Sequence, residues 1–463
     1  MPSGHRRPRS RPRPRTSTRP PLCAPAPPKE TPVSSADPLP ALLVAVPAVI
    51  LACQVGASVC RRLGQPPVVG EIATGILLGP SLLGWIWPQA QAALFPASVL
   101  PYTSVLGQLG LLAFMFLVGL ELDLKNLRGH TRVAVAVSQA GMLLPLALGA
   151  LLAITMYDGF APEGVGRTPF ILFMAVAMSI TAFPVLARIL IDRGLYGTPL
   201  GALAMACAAV DDVVAWCLLA LVVALSSAGS PMEAATTAGL AAVFTLFMLY
   251  AVRPLLARWA ARADRAGDAM VLVALFSGLS LSALATDRIG VHALFGAFLF
   301  GVITPRTGGR IEVAAARLRA FTVPVLLPLF FVHTGLRTDI GGLTASPELW
   351  LWTAAILAVA FLGKWGGAAG AARASGRPWR EALSIGALMN CRGLTELVVL
   401  NVGLELGVIG PQLFTMLVLM ALVTTAITSP ALTRLRATVA SGKEGAAAPD
   451  RAPAPSGNAL SRP

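Results

Sequence analysis

The chain has 463 residues, of which 56% are hydrophobic and only 13% charged, and its mean hydropathy is +0.73. Soluble globular chains carry about 25% charged residues. The composition therefore excludes an ordinary soluble domain and predicts a polytopic membrane protein. The formal net charge of +14 does not indicate a nucleic-acid partner, because most basic residues lie in loops beside apolar stretches and in the terminal segments, where lipid headgroups are the expected partner.

Three regions follow from composition along the chain. Residues 1–38 form a segment rich in proline and arginine, which we expect to be disordered. Residues 39–433 hold the apolar stretches and form the predicted transmembrane domain. Residues 434–463 are rich in alanine and proline and are also predicted to be disordered. The six cysteines include no C-x-x-C pair, so neither a disulfide framework, a zinc site nor any cofactor is expected.

Thirteen predominantly apolar stretches are interpreted as membrane-crossing helices, which typically need about 17 to 25 residues. The fold class predicted is therefore an all-α membrane protein of about 13 transmembrane helices. They lie near residues 39–60, 66–86, 104–122, 131–156, 168–190, 199–227, 232–259, 268–286, 291–304, 318–336, 348–372, 380–401 and 411–433.

Lys and Arg concentrate in the odd-numbered connections between these stretches. Because short cytoplasmic loops accumulate positive charge, the pattern predicts a multi-pass protein of the cell membrane with its N-terminus outside and its C-terminus in the cytoplasm. The arginine-rich segment 1–38 opposes this orientation, since the same rule places it in the cytoplasm.

Asp211 and Asp212 are adjacent within the apolar run 201–224. A carboxylate at the centre of a membrane helix costs about 2.5 to 3.5 kcal/mol on insertion scales. A pair of them is tolerated only where protons, a cation or a basic side chain neutralises the charge. Ion handling is therefore the leading functional hypothesis.

Two predicted helices carry interruptions in comparable places. Pro184 ends the segment 179–184 in the middle of the fifth stretch, and Arg392 and Gly393 interrupt the twelfth. Secondary transporters place their binding sites at paired broken helices contributed by two inverted repeats. The spacing predicts two six-helix halves joined by the seventh helix, with the two breaks at mid-membrane depth.

Lys364 lies about sixteen residues into the stretch that begins at Glu348. One reading is that its side chain snorkels to the membrane surface. The other reading pairs it with Asp211 when no cation is bound, so that the ion pair, protonation and cation binding become mutually exclusive states. Such exclusivity is what couples the movement of one species to the other in an exchanger.

Other charged residues have structural readings of equal or greater weight. Arg392 and Glu396 have the four-residue spacing of an ion pair within one helix. Glu71 follows two prolines near a predicted helix start, where capping, packing or a functional role are all open. Glu121 and Asp123 are expected to be solvated.

Five motifs occur in order along the chain: GEIATGILLGPS at 70–81, FLVGLE at 116–121, Asp211-Asp212, Gly363-Lys364 and Arg392-Gly393. Together they resemble those of the monovalent cation:proton antiporters, specifically the second branch of that superfamily. The resemblance covers about residues 40–433 and is nearest to cyanobacterial sodium:proton antiporters and plant cation/proton exchangers.

The resemblance implies a homodimer in which a core domain moves like an elevator against a dimerisation domain. It implies Asp212 as the main ligand of a transported Na⁺ or K⁺, Asp211 as the partner of Lys364, and two crossing broken helices that contain Thr181 and Arg392. Many members carry an acid two positions after the arginine, where this chain has Leu394. The role of Glu396 is therefore open.

Two alternatives remain beside a sodium or potassium:proton antiporter. The first is an exporter of an ion-carrying natural product. The second is a cation channel or sensor of the same fold, which Lys364 and the acidic pair disfavour. We expect no nucleotide-binding domain after the last helix, because residues 437–463 lack a G-x-G-x-x-G motif.

Overall fold

The computed structural model describes residues 38–121, 131–196, 198–227, 231–263, 267–306 and 309–444, and every regular element in these ranges is helical. Turns of π-helix join α10 to α11 and α14 to α15, and a 3₁₀ turn precedes α16. The helices are α1 (Leu39–Arg62), α2 (Pro67–Leu78), α3 (Leu83–Ile86), α4 (Pro88–Leu94), α5 (Leu100–Glu121), α6 (Thr131–Phe160), α7 (Arg167–Ser179), α8 (Phe183–Asp192), α9 (Pro199–Ser227), α10 (Pro231–Phe247), α11 (Arg253–Ala263), α12 (Asp268–Ile289), α13 (Ala293–Ile303), α14 (Arg310–Phe321), α15 (Leu327–Leu336), α16 (Pro347–Ala374), α17 (Trp379–Met389), α18 (Leu394–Glu405) and α19 (Pro411–Glu444).

The all-α class is confirmed, but the count of thirteen spans is not. Within the described ranges, eleven helices are long and apolar enough to cross a membrane, and the bent pair α17–α18 makes twelve. The ninth predicted span corresponds to α13, which has 11 residues. At 1.5 Å per residue α13 is about 16 Å long, roughly half of the hydrocarbon thickness.

The last helix is longer than predicted. Helix α19 continues past residue 433 to Glu444, beyond the predicted end of the transmembrane domain. The predicted disorder of residues 1–37 and 445–463 lies outside the described residues.

Most of the membrane helices belong to one of two packed sets. Helices α6–α9 and α16–α19 pack mainly on one another and are called the site set below. Helices α1, α2, α5 and α12–α15 form the flanking set. Within the flanking set α2 and α15 cross in near-contact, and a Cβ atom on Gly335 would lie 2.1 Å from the backbone of Gly75. Only glycine permits that approach.

Both predicted breaks are present in the site set. Helix α7 ends at Ser179 and α8 begins at Phe183, so Ile180–Ala182 forms an extended first link. Helix α17 ends at Met389 and α18 begins at Leu394, which leaves residues 390–393 as the second link. The links cross, because the Ala182 N–H donates to the Cys391 carbonyl at 3.1 Å. Pro184 lies in the first turn of α8, where its missing N–H costs no helical hydrogen bond.

The α2–α15 crossing yields a stability prediction. Gly335→Val should sharply reduce the yield of monodisperse protein in detergent, because its Cβ would overlap the α2 backbone. Gly370→Val is the control, since no atom lies within 4 Å of a Cβ at that exposed position of α16. Equal yields and thermal midpoints of the two variants, measured by size-exclusion chromatography and thermal unfolding, would show that the crossing is not tight.

Candidate functional site

Asp211 receives three hydrogen bonds at the centre of the site set. Its Oδ1 accepts from the Ser138 hydroxyl of α6 at 2.6 Å. Its Oδ2 accepts from the Thr181 hydroxyl at 2.7 Å and from Lys364 Nζ at 3.1 Å. Asp211 and Lys364 are both 0% exposed. The structure therefore brings together Asp211, Thr181 and Lys364, and Lys364 does not snorkel to the surface.

Two cations lie at the C-terminal end of α7, where the helix leaves carbonyl groups without helical partners. Lys364 Nζ donates to the Ser179 carbonyl. Arg392 donates to the carbonyls of Ala177, at 2.8 Å, and Met178. The negative end of a helix dipole favours cations. Besides the carboxylates, the first break thus supplies carbonyl acceptors for the buried side chains of Lys364 and Arg392.

Arg392 is also paired with Glu396, and its backbone is held by α19. Its guanidinium lies 2.9 Å from Glu396 Oε2, with both side chains fully buried. Its N–H donates to the Thr425 hydroxyl at 3.0 Å, and that hydroxyl donates to the Arg392 carbonyl at 2.6 Å. Arg392 and Glu396 therefore fix the second link against its neighbours. Gly393 has extended backbone at the start of α18.

Asp212 differs from Asp211 in having no polar side chain bonded to it. It is 1% exposed, and neither carboxylate oxygen has a hydrogen-bond partner among the described residues. The Phe183 amide at the start of α8 is turned towards its carboxylate, and the N-terminal end of a helix favours negative charge. Asp212 thus has none of the side-chain partners that Asp211 has.

Glu71 does not join this cluster. Helix α2 begins at Pro67, so Glu71 lies beyond the first turn and does not cap the helix. It lines a cavity of about 400 Å³ at the end of the bundle that carries Arg61, Arg188 and Arg319, called the basic end below. Glu121 lies in the same cavity and pairs with Arg319. Asp123 lies outside the described residues.

A second cavity, of about 270 Å³, lies at the opposite end of the bundle. Asp287, His292, His333 and Glu405 line it. Both cavities lie between the site set and the flanking set. Apolar residues such as Phe331 line the first cavity and others such as Phe330 line the second. The aspartates line neither.

Three contacts of the site were missed from the sequence: Ser138, Ser179 and Thr425. Hydroxyl side chains are common in membrane helices, where they bond the carbonyl of the preceding turn, so Ser138 and Thr425 carry no special signal. Ser179 acts through its backbone carbonyl. Its availability follows from the helix break, which the sequence did indicate.

Similarity to known proteins defines the class. A profile of the transmembrane sodium/hydrogen exchanger family matches residues 48–436. The chain is 43% identical over 378 residues to the Na(+)/H(+) antiporter NhaS4 of Synechocystis sp., covering 81% of this chain and 92% of that protein. The chain belongs to the sodium/hydrogen exchanger family. It is therefore a multi-pass membrane transporter and not an enzyme.

More distant relatives match over part of their length. Cation/H(+) antiporter 19 of Arabidopsis thaliana is 40% identical over 399 residues, which are 85% of this chain and 49% of that protein. K(+)/H(+) antiporter 1 of Saccharomyces cerevisiae is 34% identical over 415 residues, which are 87% of this chain and 47% of that protein. The chain thus spans about half the length of these plant and yeast relatives.

The fold has a solved counterpart. The sodium proton antiporter MjNhaP1 from Methanocaldococcus jannaschii matches with a TM-score of 0.56 at 17% identity, covering 87% of this chain and 98% of that chain. At this identity the likeness establishes the fold alone.

The buried Asp211–Lys364 pair yields a prediction on stability. Asp211→Asn or Lys364→Met should each cost about 3–5 kcal/mol, because each leaves the other charge buried without its partner. The double variant should cost less than the sum of the single changes, since it removes both charges. Thermal midpoints in detergent provide the measurement.

The matched control is the exposed pair Asp158 and Arg167, whose side chains are 82% and 70% exposed. Asp158→Asn and Arg167→Gln should each cost less than about 1 kcal/mol. A double variant of Asp211 and Lys364 that lost as much as the two single variants added together would contradict an energetic pairing.

Proposed function

We propose that this protein exchanges a monovalent cation, Na⁺ or K⁺, for protons across the cell membrane by alternating access at Asp211 and Asp212. The observation that carries the proposal is the state of Asp212. It is a buried acid without a hydrogen-bonding side chain, next to an acid that a lysine neutralises. An acid at that depth requires a proton or a cation as its occupant.

The relatives support the substrate class. The cyanobacterial relative is named a Na(+)/H(+) antiporter and the yeast relative a K(+)/H(+) antiporter. Both names describe exchange of a monovalent cation for protons. They differ in the cation, so we propose the class and leave sodium and potassium as alternatives.

The proposed coupling rests on competition for one negative charge. Asp212 holds either a proton or a cation, and the pair then carries no uncompensated charge. Lys364 neutralises Asp211, assisted by the hydroxyls of Ser138 and Thr181. A site that reorients only when it is neutralised moves one species against the other, because the empty, charged site does not cross the apolar region between the two helix sets.

Alternating access requires movement of the site set against the flanking set. At the basic end Arg193 of the site set donates to the Gly64 carbonyl at 2.9 Å. At the opposite end the Asn401 amide donates to the Thr334 hydroxyl at 2.9 Å, and Arg337 pairs with Glu405 at 3.0 Å. We propose that these polar contacts hold the access state and break during transport.

The proposed orientation and assembly complete this account. We propose that the basic end faces the cytoplasm, following the distribution of Arg and Lys. We also propose that two copies associate through the flanking set, as the family resemblance implies.

Transport in everted vesicles tests the assignment. After acidification, addition of Na⁺, K⁺ or Li⁺ should dequench a pH-sensitive dye in vesicles that contain the protein. Asp212→Asn should abolish the response, because the amide holds neither a proton nor a cation charge, and Asp211→Asn should alter it strongly. Asp158→Asn, at an exposed position, should leave it unchanged. A normal response from Asp212→Asn would reject the site.

Cross-linking tests the movement. In a background without the six native cysteines, Thr334→Cys with Asn401→Cys places two thiols across the two helix sets. Oxidation to a disulfide should reduce transport to below about a tenth, and a reductant should restore it, because the link prevents relative movement. Ser81→Cys with Ile340→Cys is the control. It joins the segments that follow α2 and α15, two helices of the flanking set, where the Ile340 N–H donates to the Ser81 hydroxyl at 3.1 Å. Full transport by the cross-linked Thr334/Asn401 pair would contradict movement at this contact.

A further inference from the structure

Asp212 shares a narrow crevice with the first turn of α18. The crevice is lined by Ile180, Asp212, Ala215, Trp216, Thr395 and Val399, and no point in it admits a sphere the size of water. Asp212 and Thr395 are the two lining residues whose side chains carry oxygen atoms. Thr395 is 2% exposed, and its hydroxyl has no hydrogen-bond partner among the described residues.

The helix break explains why this hydroxyl is unpaired. A buried threonine in a helix ordinarily donates to the carbonyl four residues earlier, as Thr353 does to Leu349 at 2.7 Å. Four residues before Thr395 is Cys391, which lies in the second link and whose carbonyl accepts from the Ala182 N–H instead. The break therefore leaves a hydroxyl oxygen available at the crevice that holds the unpaired carboxylate.

Three buried oxygens without partners thus face one crevice: both carboxylate oxygens of Asp212 and the hydroxyl of Thr395. A cation that binds where water has no room must lose its hydration shell, and protein oxygens must replace it. The hydroxyl offers a lone pair to a cation and adds no charge of its own to the site.

We propose that Thr395 is a ligand of the transported monovalent cation and, together with Asp212, determines which cation the site accepts. This inference rests on the proposed exchange function. It assigns to Thr395 the discrimination between cations, while Asp212 supplies the charge. The crevice width at the Thr395 methyl group and the position of its hydroxyl then set the fit to Na⁺, K⁺ or Li⁺.

Two variants distinguish the contribution of the Thr395 hydroxyl to cation binding from that of its methyl group. Thr395→Val keeps the volume and removes the oxygen, so the KM for the preferred cation should rise about tenfold, the loss expected for one contact to a charge. The maximal rate should change less. Thr395→Ser keeps the oxygen and removes the methyl group, so the KM for that cation should stay within about threefold while the ratio of KM values for Na⁺ and K⁺ shifts. Thr353→Val is the control and should match the wild type.

A binding measurement keeps this test independent of transport. The thermal midpoint of purified protein is measured in NaCl, KCl or LiCl against choline chloride at equal ionic strength. The wild type should be stabilised by its preferred cation, and Thr395→Val should lose that shift while keeping its midpoint in choline. Thr395→Ala replaces the valine variant should the latter fail to fold.

Each outcome decides a different claim. Unchanged KM values and unchanged cation stabilisation in Thr395→Val overturn the role of Thr395 and leave the exchange proposal intact. Equal losses in Thr395→Val and Thr395→Ser assign Thr395 to packing and also overturn the inference. A third outcome is a thermal midpoint that the cation raises only when the Thr395 hydroxyl is present, in a protein that exchanges no protons. That result supports Thr395 as a cation ligand and rejects the proposed exchange. No cation stabilisation in the wild type overturns the ligand role.

Discussion

Burial of two adjacent carboxylates in an apolar helix bundle is the constraint on which the rest of the site depends. Asp211 is stabilised by a lysine and two hydroxyls drawn from three other segments of the chain. Asp212 lacks such partners. The adjacent acids therefore have different environments although they share one turn of α9, and this asymmetry is what makes one of them available to a mobile ion.

The crossing links supply the electrostatic frame for that asymmetry. The carbonyl end of α7 accepts hydrogen bonds from Lys364 and Arg392, while the amide end of α8 is turned towards Asp212. If α7 and α8 were one continuous helix, neither end would be available at this depth, because the carbonyls and amides would hydrogen-bond one another. The broken helices thus place buried cations and a buried anion in one apolar set without bulk water.

Charge was the part of the site most visible in the sequence. Asp211, Asp212 and Lys364 stand out because charged residues are rare in apolar stretches, and Pro184 and Gly393 marked the two breaks. Hydroxyl groups such as Thr395 did not stand out, since their role depends on which carbonyls a break leaves free. The ninth span was also wrong, because the apolar run near 291–304 is itself shorter than the roughly 17 residues that a crossing needs, and α13 is shorter still. For Glu71 the structure removes capping from the open alternatives, because α2 begins at Pro67 and Glu71 lies beyond its first turn.

Competition between a proton and a cation at Asp212 is the central claim, and proton release on cation binding tests it most directly. Purified protein in weakly buffered detergent solution is mixed with NaCl or KCl while a pH indicator is followed. The account predicts that cation binding releases protons, that Asp212→Asn releases none, and that apparent cation affinity falls as the pH is lowered. Cation binding without proton release at any pH would contradict it.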